Sequence, residues 1–203
     1  NQPSTLSDLC ETTGLPRATA HRLATALEAH RILTRTPDGK WTAGPALPGN
    51  RDHILEAAAP IMEELLVTTG ESIQLYQLTG NTRTCIASRE PAQGLHNVVP
   101  VGRQLPLTSG SAARIIAAYE NVDLQGASFS AADVDAARTR GLSESIEERE
   151  AGLASVSAPV LDAAGALLGV LSISGSAERF RPSPIEKFGA TLADAAARLS
   201  SAV

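Results

Sequence analysis

Apolar and polar positions in the first 47 residues follow a helical period twice and then alternate. A first helix, capped by Ser4, would bury Leu6, Leu9 and Cys10. A second helix, opened by Pro16, carries an apolar stripe at positions i, i+3, i+4 and i+7, formed by Ala20, Leu23, Ala24 and Leu27. A strand over Ile32–Arg35, a turn at Pro37-Asp38-Gly39 and a returning strand from Lys40-Trp41-Thr42 follow. The pattern predicts a helix-turn-helix with a two-stranded wing.

Residues that disfavour helix concentrate at Gly44–Asp52, and this predicts a linker. We accordingly divide the chain into a winged helix over 1–47, a linker over 48–54 and a larger domain over 55–203.

Beyond the linker, helical stripes and strand pairs alternate. Four helices are predicted. The first has an apolar stripe of Leu55, Ala58, Met62, Leu65 and Leu66, and the second, which starts at Thr108-Ser109-Gly110, has a stripe of Ala112, Ile115, Ile116 and Tyr119. The third spans Ala131–Arg140, and the last runs from Ser183 to the end. The predicted strands are Ile73–Leu78 and Thr84–Ser88 around Gly80-Asn81, Val98–Val101, and Val156–Leu161 with Leu167–Ser174. This order indicates an α+β domain with an antiparallel sheet flanked by helices.

Charge and composition narrow the classes of protein. The net charge is −5, but residues 1–47 hold five basic and four acidic side chains, which leaves −6 on the remainder. A weakly basic head on an acidic body fits a DNA-binding domain attached to one that does not touch DNA. No apolar run approaches the roughly 20 residues that span a bilayer, so we expect a cytoplasmic protein without membrane contact. Cys10 and Cys85 are expected to be reduced thiols.

The second predicted helix has a polar face opposite its apolar stripe. This face holds Arg17, Ala18, Thr19, His21, Arg22 and Thr25. Arg22 is suited to a guanine edge or a phosphate, and Lys40 on the wing to a phosphate. Alone, such a helix could simply be solvated, and His21 could be merely exposed. The complete helix-turn-helix and wing favour DNA binding.

Two stretches of the chain resemble the IclR family of transcriptional regulators. The first is Leu6-Ser7-Asp8-Leu9 with Thr13–Leu23 and Pro37–Trp41. The second comprises Leu105–Ala113, Glu147-Glu148, Gly152-Leu153, Ser157–Val160 and Leu171–Gly175. The resemblance implies a winged helix-turn-helix followed by a GAF/PAS-like effector-binding domain. It also implies a homodimer or homotetramer that binds operator DNA and responds to a small metabolite, often a carboxylic acid or an aromatic compound.

The resemblance also implies an effector pocket on the sheet, under the loop that enters the helix after Ser109. The matching positions are Leu107, Gly110, Ser111, Ser145, Leu153, Ser155, Ser172 and Ser174. A helix start offers free N–H groups to an anion, and Ser172 and Ser174 point to the same face of a strand. No arginine or lysine occupies these positions, so we expect the Gly110 and Ser111 N–H groups and the serine hydroxyls to compensate a ligand's charge. Leu107 and Leu153 would cover its apolar part.

The sequence departs from the family pattern at several places. Ser145 and Ser155 stand where some members have Asp or Cys, and Thr108 stands where a histidine is common. The family has a further helix before Ser4 and longer segments near Pro48 and over Val122–Ser128. We therefore expect residues missing before Asn1, near Pro48 and near Gln125.

Two other classes of function compete with a ligand-controlled regulator. A serine-dependent enzyme would need a nucleophile motif, but Thr108–Ser111 contains no G-x-S-x-G, and neither His53 nor His96 lies in a base pattern. The acidic residues Glu147, Glu148 and Glu150 lack companions with metal-ligand spacing. We expect no catalytic residues, no metal and no cofactor. A second domain that only binds other proteins, without a ligand, remains open.

Overall fold

The computed structural model describes residues 3–30, 32–36, 38–44, 48–93 and 96–203, with the side chains of 48–52 excepted. It divides into two compact units, Asn1–Ile54 and Leu55–Val203.

The first unit contains the predicted helix-turn-helix and wing. Helix α1 spans Leu6–Thr13 and helix α2 spans Arg17–Ala29. Strands β1 (Leu33–Arg35) and β2 (Trp41–Ala43) pair antiparallel. The turn between the strands keeps Asp38 and Gly39, whereas Pro37 lies outside the described residues.

The N-cap of α1 is Thr5 and not Ser4 as predicted. The Thr5 hydroxyl accepts the Asp8 N–H at 3.2 Å, and the Asp8 carboxylate accepts the Thr5 N–H at 2.7 Å, which forms a reciprocal capping box. Ser4 instead exchanges two backbone hydrogen bonds of 2.7 Å with Trp41. The acidic residue three positions after Thr5 decides between the two neighbouring hydroxyls.

The apolar stripe of α2 is only half buried within this unit. Ala20 and Ala24 are buried, whereas Leu23 and Leu27 are 45% and 36% exposed. The prediction that α2 buries both leucines is wrong for this unit, because the line of leucines is turned by about 60° from the line of alanines.

The predicted linker over 48–54 lies within a helix and not in an irregular segment. Helix α3 spans Pro48–Thr69, so these residues are helical. Pro48 is its first residue, where the missing N–H of proline costs no intrahelical hydrogen bond. Residues 45–47, the other part of the predicted break, lie outside the described residues.

The second unit is built on a six-stranded antiparallel sheet in the order β5-β4-β3-β8-β7-β6. Its strands are β3 Ser72–Thr79, β4 Thr82–Arg89, β5 Gln104–Pro106, β6 Ser143–Ile146, β7 Leu153–Leu161 and β8 Leu167–Ser176. The two predicted hairpins are confirmed. Each consists of two strands that are longer than the sequence pattern indicated.

The prediction of a strand at Val98–Val101 is wrong. Strand β5 begins instead at Gln104, three residues after Val101. Pro100 cannot donate to a ladder, and Val98 and Val101 are exposed. Backbone hydrogen bonds to β4 begin after this stretch, where Gly102 N–H donates to the Cys85 carbonyl and Cys85 N–H donates to the Arg103 carbonyl. Strand β6 was not predicted.

Three further helices complete the second unit: α4 Ser111–Tyr119, α5 Ala131–Arg140 and α6 Pro184–Ser201. The last is capped by Ser183, as predicted. Helices α4 and α6 both pack on β6, β7 and β8. Because Ser155 and Ser157 of β7 contact Ser111 of α4, side-chain alternation turns Val156 to the other face, where α6 packs.

Candidate functional site

The polar face of α2 is largely solvent-exposed. Arg17, Ala18, His21, Arg22 and Thr25 are exposed, and Thr19 is half-buried. The Arg17 guanidinium donates to the Ser7 hydroxyl at 3.3 Å, which links the start of α2 to α1. The side chains of α2 predicted to face DNA therefore form one accessible surface.

The wing carries two cations that already have partners. Lys40 Nζ lies 2.9 Å from the Asp38 carboxylate. Hydrogen bonds, first from Thr36 and then from Lys40, hold the pKa of Asp38 at about 2. Arg35 stacks its guanidinium 4.3 Å from the centre of the Trp41 ring. A phosphate of DNA that contacts Lys40 would therefore compete with the Asp38 carboxylate for this ammonium group.

A cavity lies in the second unit between the start of α4 and the α4-facing side of the sheet. It encloses about 390 Å³, counted with the solvent at its mouth. Its lining residues are Gln74, Tyr76, Arg83, Asn97, Gly110, Ser111, Ala112, Ser145, Arg149, Leu153, Ser155, Ser172 and Ser174. Seven of the eight positions matched by resemblance are among them. The eighth, Leu107, packs instead in the apolar cluster around α4.

Strand register aligns the serines on the cavity side of the sheet, some of which line the cavity, in two rows. One row is Ser145, Ser155, Ser174 and Ser72, and the other is Ser143, Ser157, Ser172 and Gln74. The Ser111 hydroxyl at the start of α4 lies 2.7 Å from both the Ser155 and the Ser157 hydroxyl. Ser157 in turn bonds Ser172. The hydroxyls thus tie the helix start to the sheet.

Gln74, the last member of the second row, brings an amide group to the cavity. Ser174 donates to Gln74 Oε1 at 2.8 Å and accepts from Asn97 Nδ2 at 2.9 Å. Gln74 is fully buried, and its Nε2 has no hydrogen-bond partner among the described residues. The Ser174 hydrogen is therefore engaged within the protein, whereas the amide Nε2 is available to a ligand.

One of the two N–H groups predicted to bind an anion at the start of α4, that of Gly110, already has a partner within the protein. The Gly110 N–H donates to the Glu148 carboxylate at 3.0 Å. The same carboxylate accepts from Arg114 at 2.7 Å and from the Ser128 hydroxyl at 3.1 Å. A carboxylate of the protein itself thus occupies the helix-start position expected for a ligand.

Two arginines line the cavity, although none was expected there. Arg83 is 2% exposed. Its Nη1 donates to the Pro106 carbonyl, and its Nε has no hydrogen-bond partner within the described part of the chain. Burial lowers the pKa of Arg83 to about 10, so the side chain stays charged at neutral pH. Arg149 donates to Asn97 Oδ1 at 3.4 Å.

The arginines and Gln74 could be found from the sequence only through the strand pairing. Gln74 and Tyr76 alternate with the core residues Ile73 and Leu75 on β3, which marks a polar inward position. Arg83 has the same parity as buried Cys85 on β4. Pairing of β3 with β8, which places Gln74 opposite Ser172, is the missing step because these strands are about 100 residues apart.

Two protein-family models match the chain. The IclR helix-turn-helix domain model matches residues 1–37, and the model of the bacterial transcriptional regulator IclR C-terminal domain matches residues 49–137 and 131–201. The chain belongs to the IclR family.

The similarity to individual regulators extends over almost the whole chain. The chain is 27% identical to the HTH-type transcriptional regulator KipR of Bacillus subtilis, over 98% of this chain and 90% of KipR. It is 25% identical to the HTH-type transcriptional repressor AllR of Salmonella paratyphi A, over 98% of this chain and 83% of AllR. The crystal structure of an IclR-family transcriptional regulator from Rhodococcus sp. has 27% identity and a TM-score of 0.65, covering 98% of this chain and 85% of the other.

These likenesses establish the class of function. The chain is a transcriptional regulator with an N-terminal helix-turn-helix domain, and it is not an enzyme. Among the described residues, no helix is long and apolar enough to cross a membrane, and no group of three or more His, Cys, Asp or Glu side chains could hold a metal ion.

Proposed function

We propose that this IclR-family regulator binds operator DNA through α2 and the wing and is controlled by a small molecule bound in the cavity of its second unit. The observation that carries the proposal is the pair of buried donors facing that cavity, Gln74 Nε2 and Arg83 Nε, which lack partners among the described residues. A buried donor without a partner costs about 1–3 kcal/mol. A ligand that accepts these hydrogen bonds recovers that cost, so binding is favoured over the unliganded state.

The DNA-binding half of the proposal rests on the winged helix. Arg17 and Arg22 lie on the exposed face of α2, and Arg17 is placed at the N-terminal end, which enters the major groove in helix-turn-helix proteins. The proposed DNA contacts are Arg17, Ala18, Thr19, His21, Arg22, Thr25 and, on the wing, Lys40.

The second candidate is a second unit that only binds proteins and takes no ligand. The cavity argues against it. A surface used only for protein contacts has no need of a buried recess whose polar groups lack partners. The two candidates differ in one measurable property, the response of the folded protein to small molecules.

The test is a thermal-unfolding screen of the whole chain against acidic, neutral polar and aromatic metabolites. A compound that binds only the folded state raises the melting temperature in proportion to ln(1 + [L]/Kd). The compounds that do so are then added to the complex of protein and operator DNA in a gel shift. We expect at least one of them to change the affinity for DNA.

A pair of matched variants locates the binding site. Leu153 lies at the start of β7 and lines the cavity, whereas Leu161 lies at the other end of the same strand and does not. Leu153→Phe narrows the cavity and should abolish the thermal shift while basal DNA affinity is kept, whereas Leu161→Phe should keep both. A thermal shift of equal size in wild type and Leu153→Phe would place the ligand elsewhere.

A further inference from the structure

An ion pair beside the cavity ties together segments that are distant in the chain. The Glu148 carboxylate accepts hydrogen bonds from Arg114 at 2.7 Å, from the Gly110 N–H at 3.0 Å and from the Ser128 hydroxyl at 3.1 Å. The side chains of Arg114 and Glu148 are 12% and 20% exposed, so the pair is largely shielded from solvent. Neither residue lines the cavity. A ligand that fills the cavity is therefore not expected to contact the pair directly.

The Arg114 guanidinium extends these links to the edge of the sheet. It donates to the Ser143 hydroxyl at 3.1 Å and to the Glu144 carbonyl, both on β6. It also lies 5.0 Å from the centre of the Phe129 ring. The pair thus joins α4 to β6, to the turn 147–152 and to the segment that leads into α5.

The walls of the cavity adjoin the pair at three places. Gly110 lines the cavity and is itself bonded to Glu148. Arg149 also lines it and follows Glu148 in the chain, and Ser145 lines it and follows Glu144. A displacement of the pair would therefore move walls that come from α4, from the turn 147–152 and from β6.

The turn 147–152 has a backbone conformation that its own contacts support. Glu147 has a φ of 55°, in the left-handed region that residues other than glycine rarely adopt. Its N–H donates to the Leu153 carbonyl at 2.7 Å, and its carboxylate accepts the Gly152 N–H at 2.7 Å. Such positions persist only where surrounding contacts hold them, and they concentrate at ligand sites. The turn thus holds Glu148 and Arg149 in defined positions.

We propose that Arg114 and Glu148 are positioning residues of the effector site, which hold the start of α4, the turn 147–152 and β6 in the arrangement that forms the cavity. This inference rests on the proposed function, because it concerns the affinity of the same cavity. A site whose walls are held in place before binding loses less conformational entropy when the ligand binds. The pair should therefore change effector affinity without contacting the effector.

A pair that only stabilises the fold would behave differently in one variant. Removal of one partner leaves a shielded charge alone, whereas replacement of both by apolar residues of similar size often preserves stability. Arg114→Met with Glu148→Met should keep the fold in this way, but it loses the bonds to Gly110 and Ser128. The matched control is Arg198→Met with Glu64→Met. It removes a 2.9 Å ion pair that links α6 to α3 outside the cavity lining.

Hydrogen–deuterium exchange of the full chain, followed by mass spectrometry, measures how firmly the cavity walls are held in the absence of a ligand. We expect the variant at Arg114 and Glu148 to exchange about tenfold faster than wild type over 105–113 and 147–156, because charge-assisted hydrogen bonds are lost there. The control at Arg198 and Glu64 should exchange in these segments at the wild-type rate. Urea unfolding checks that both variants are folded.

Effector affinity is then measured by calorimetry, with those compounds of the metabolite screen that raise the melting temperature of wild type. The variant at Arg114 and Glu148 should bind them about ten- to a hundredfold more weakly, whereas the control should bind them like wild type. Arg114→Lys keeps a positive charge beside Glu148 and should recover part of the affinity that Arg114→Met loses. A role in stability alone would not change affinity measured well below the melting temperature.

Each outcome supports or overturns the positioning role. Wild-type exchange over both segments, or wild-type affinity in the folded variant at Arg114 and Glu148, overturns it and leaves the proposed function standing. Faster exchange together with weaker binding supports it. If no compound of the screen binds even to wild type, the proposed function fails and the positioning role fails with it.

Discussion

Arg22 is the exposed guanidinium that lies almost opposite the buried alanines of α2. It lies two positions after Ala20, which corresponds to about 200° around the helix. Its side chain can therefore be removed without disturbing the packing of this unit.

Asp38 on the wing lies 2.9 Å from Lys40, so it places a negative charge beside a cation that is proposed to bind phosphate.

These two residues should change DNA affinity in opposite directions. Arg22→Ala should weaken operator binding by about 1–3 kcal/mol, at one base position if it reads a base and for all sequences alike if it binds a phosphate. Asp38→Asn should strengthen binding to any sequence and steepen its salt dependence, because Lys40 is released to the DNA. Both are measured by fluorescence anisotropy on operator and scrambled duplexes over a series of salt concentrations.

Arg140→Ala is the control, since this exposed arginine ends α5 in the other unit and should leave DNA affinity as it is. Equal affinities of Arg22→Ala and wild type at every salt concentration would contradict the DNA-binding surface proposed for α2.

At the scale of elements, an ion pair between a buried carboxylate and a partly exposed arginine lies where α3 leads into β3. Glu71 is 3% exposed and receives two hydrogen bonds from Arg179, of 2.6 and 2.8 Å. Gly175 on β8 makes room for this carboxylate, because a Cβ there would lie 2.1 Å from Glu71 Oε2 and 3.0 Å from Phe180. The glycine is needed for the close approach of the side chain and not for a turn.

Gly175→Ala should therefore destabilise the second unit by about 1–3 kcal/mol through overpacking. The measurement is urea unfolding followed by circular dichroism. Because the new methyl collides with Glu71, the double variant Gly175→Ala with Glu71→Ala should cost less than the sum of the two single variants. Strict additivity would show that Gly175 has another role.

Elements with local signals were predictable from the sequence, and elements defined by pairing were not. Helix α5 has the predicted bounds, Ala131–Arg140, and both of its ends carry local signals, with Ser130 as the N-cap and Gly141 as the C-cap. Strand β6 is four residues long at the edge of the sheet, and Ser143 and Ser145 are buried on its inner face, so the usual apolar alternation is absent. Its serines face the cavity side, where β7 brings further serines to meet them.

The candidate cavity shows the same division. The serines and Gly110 were found through resemblance to a family, since each is an ordinary strand or cap residue when taken alone. Arg83 and Arg149 come from β4 and from the turn before β7, and only the folded sheet brings them together. The sequence analysis predicted a cavity whose donors are hydroxyl groups and the N–H groups of a helix start. The structure adds two arginine side chains to the lining.

At the scale of the whole molecule, we expect an oligomer from the resemblance to the family, and two large apolar side chains of the winged helix are exposed. Leu23 and Leu27 lie one turn apart on α2 and are 45% and 36% exposed. We predict that the protein is at least a dimer and recognises a roughly palindromic operator, because a two-fold symmetric dimer presents two copies of α2 to two half-sites. The half-sites should lie one helical turn of DNA, or a multiple of it, apart.

Light scattering coupled to size exclusion measures the mass of the free protein and of its complex with DNA. We expect at least twice the mass of the chain, which is 21.0 kDa, at micromolar concentration. A duplex with one half-site scrambled should bind more weakly than the symmetric duplex, because only one α2 then makes base contacts while the phosphate contacts of both remain. A monomeric mass with and without DNA, together with equal affinity for the two duplexes, would show instead that one winged helix is sufficient for recognition.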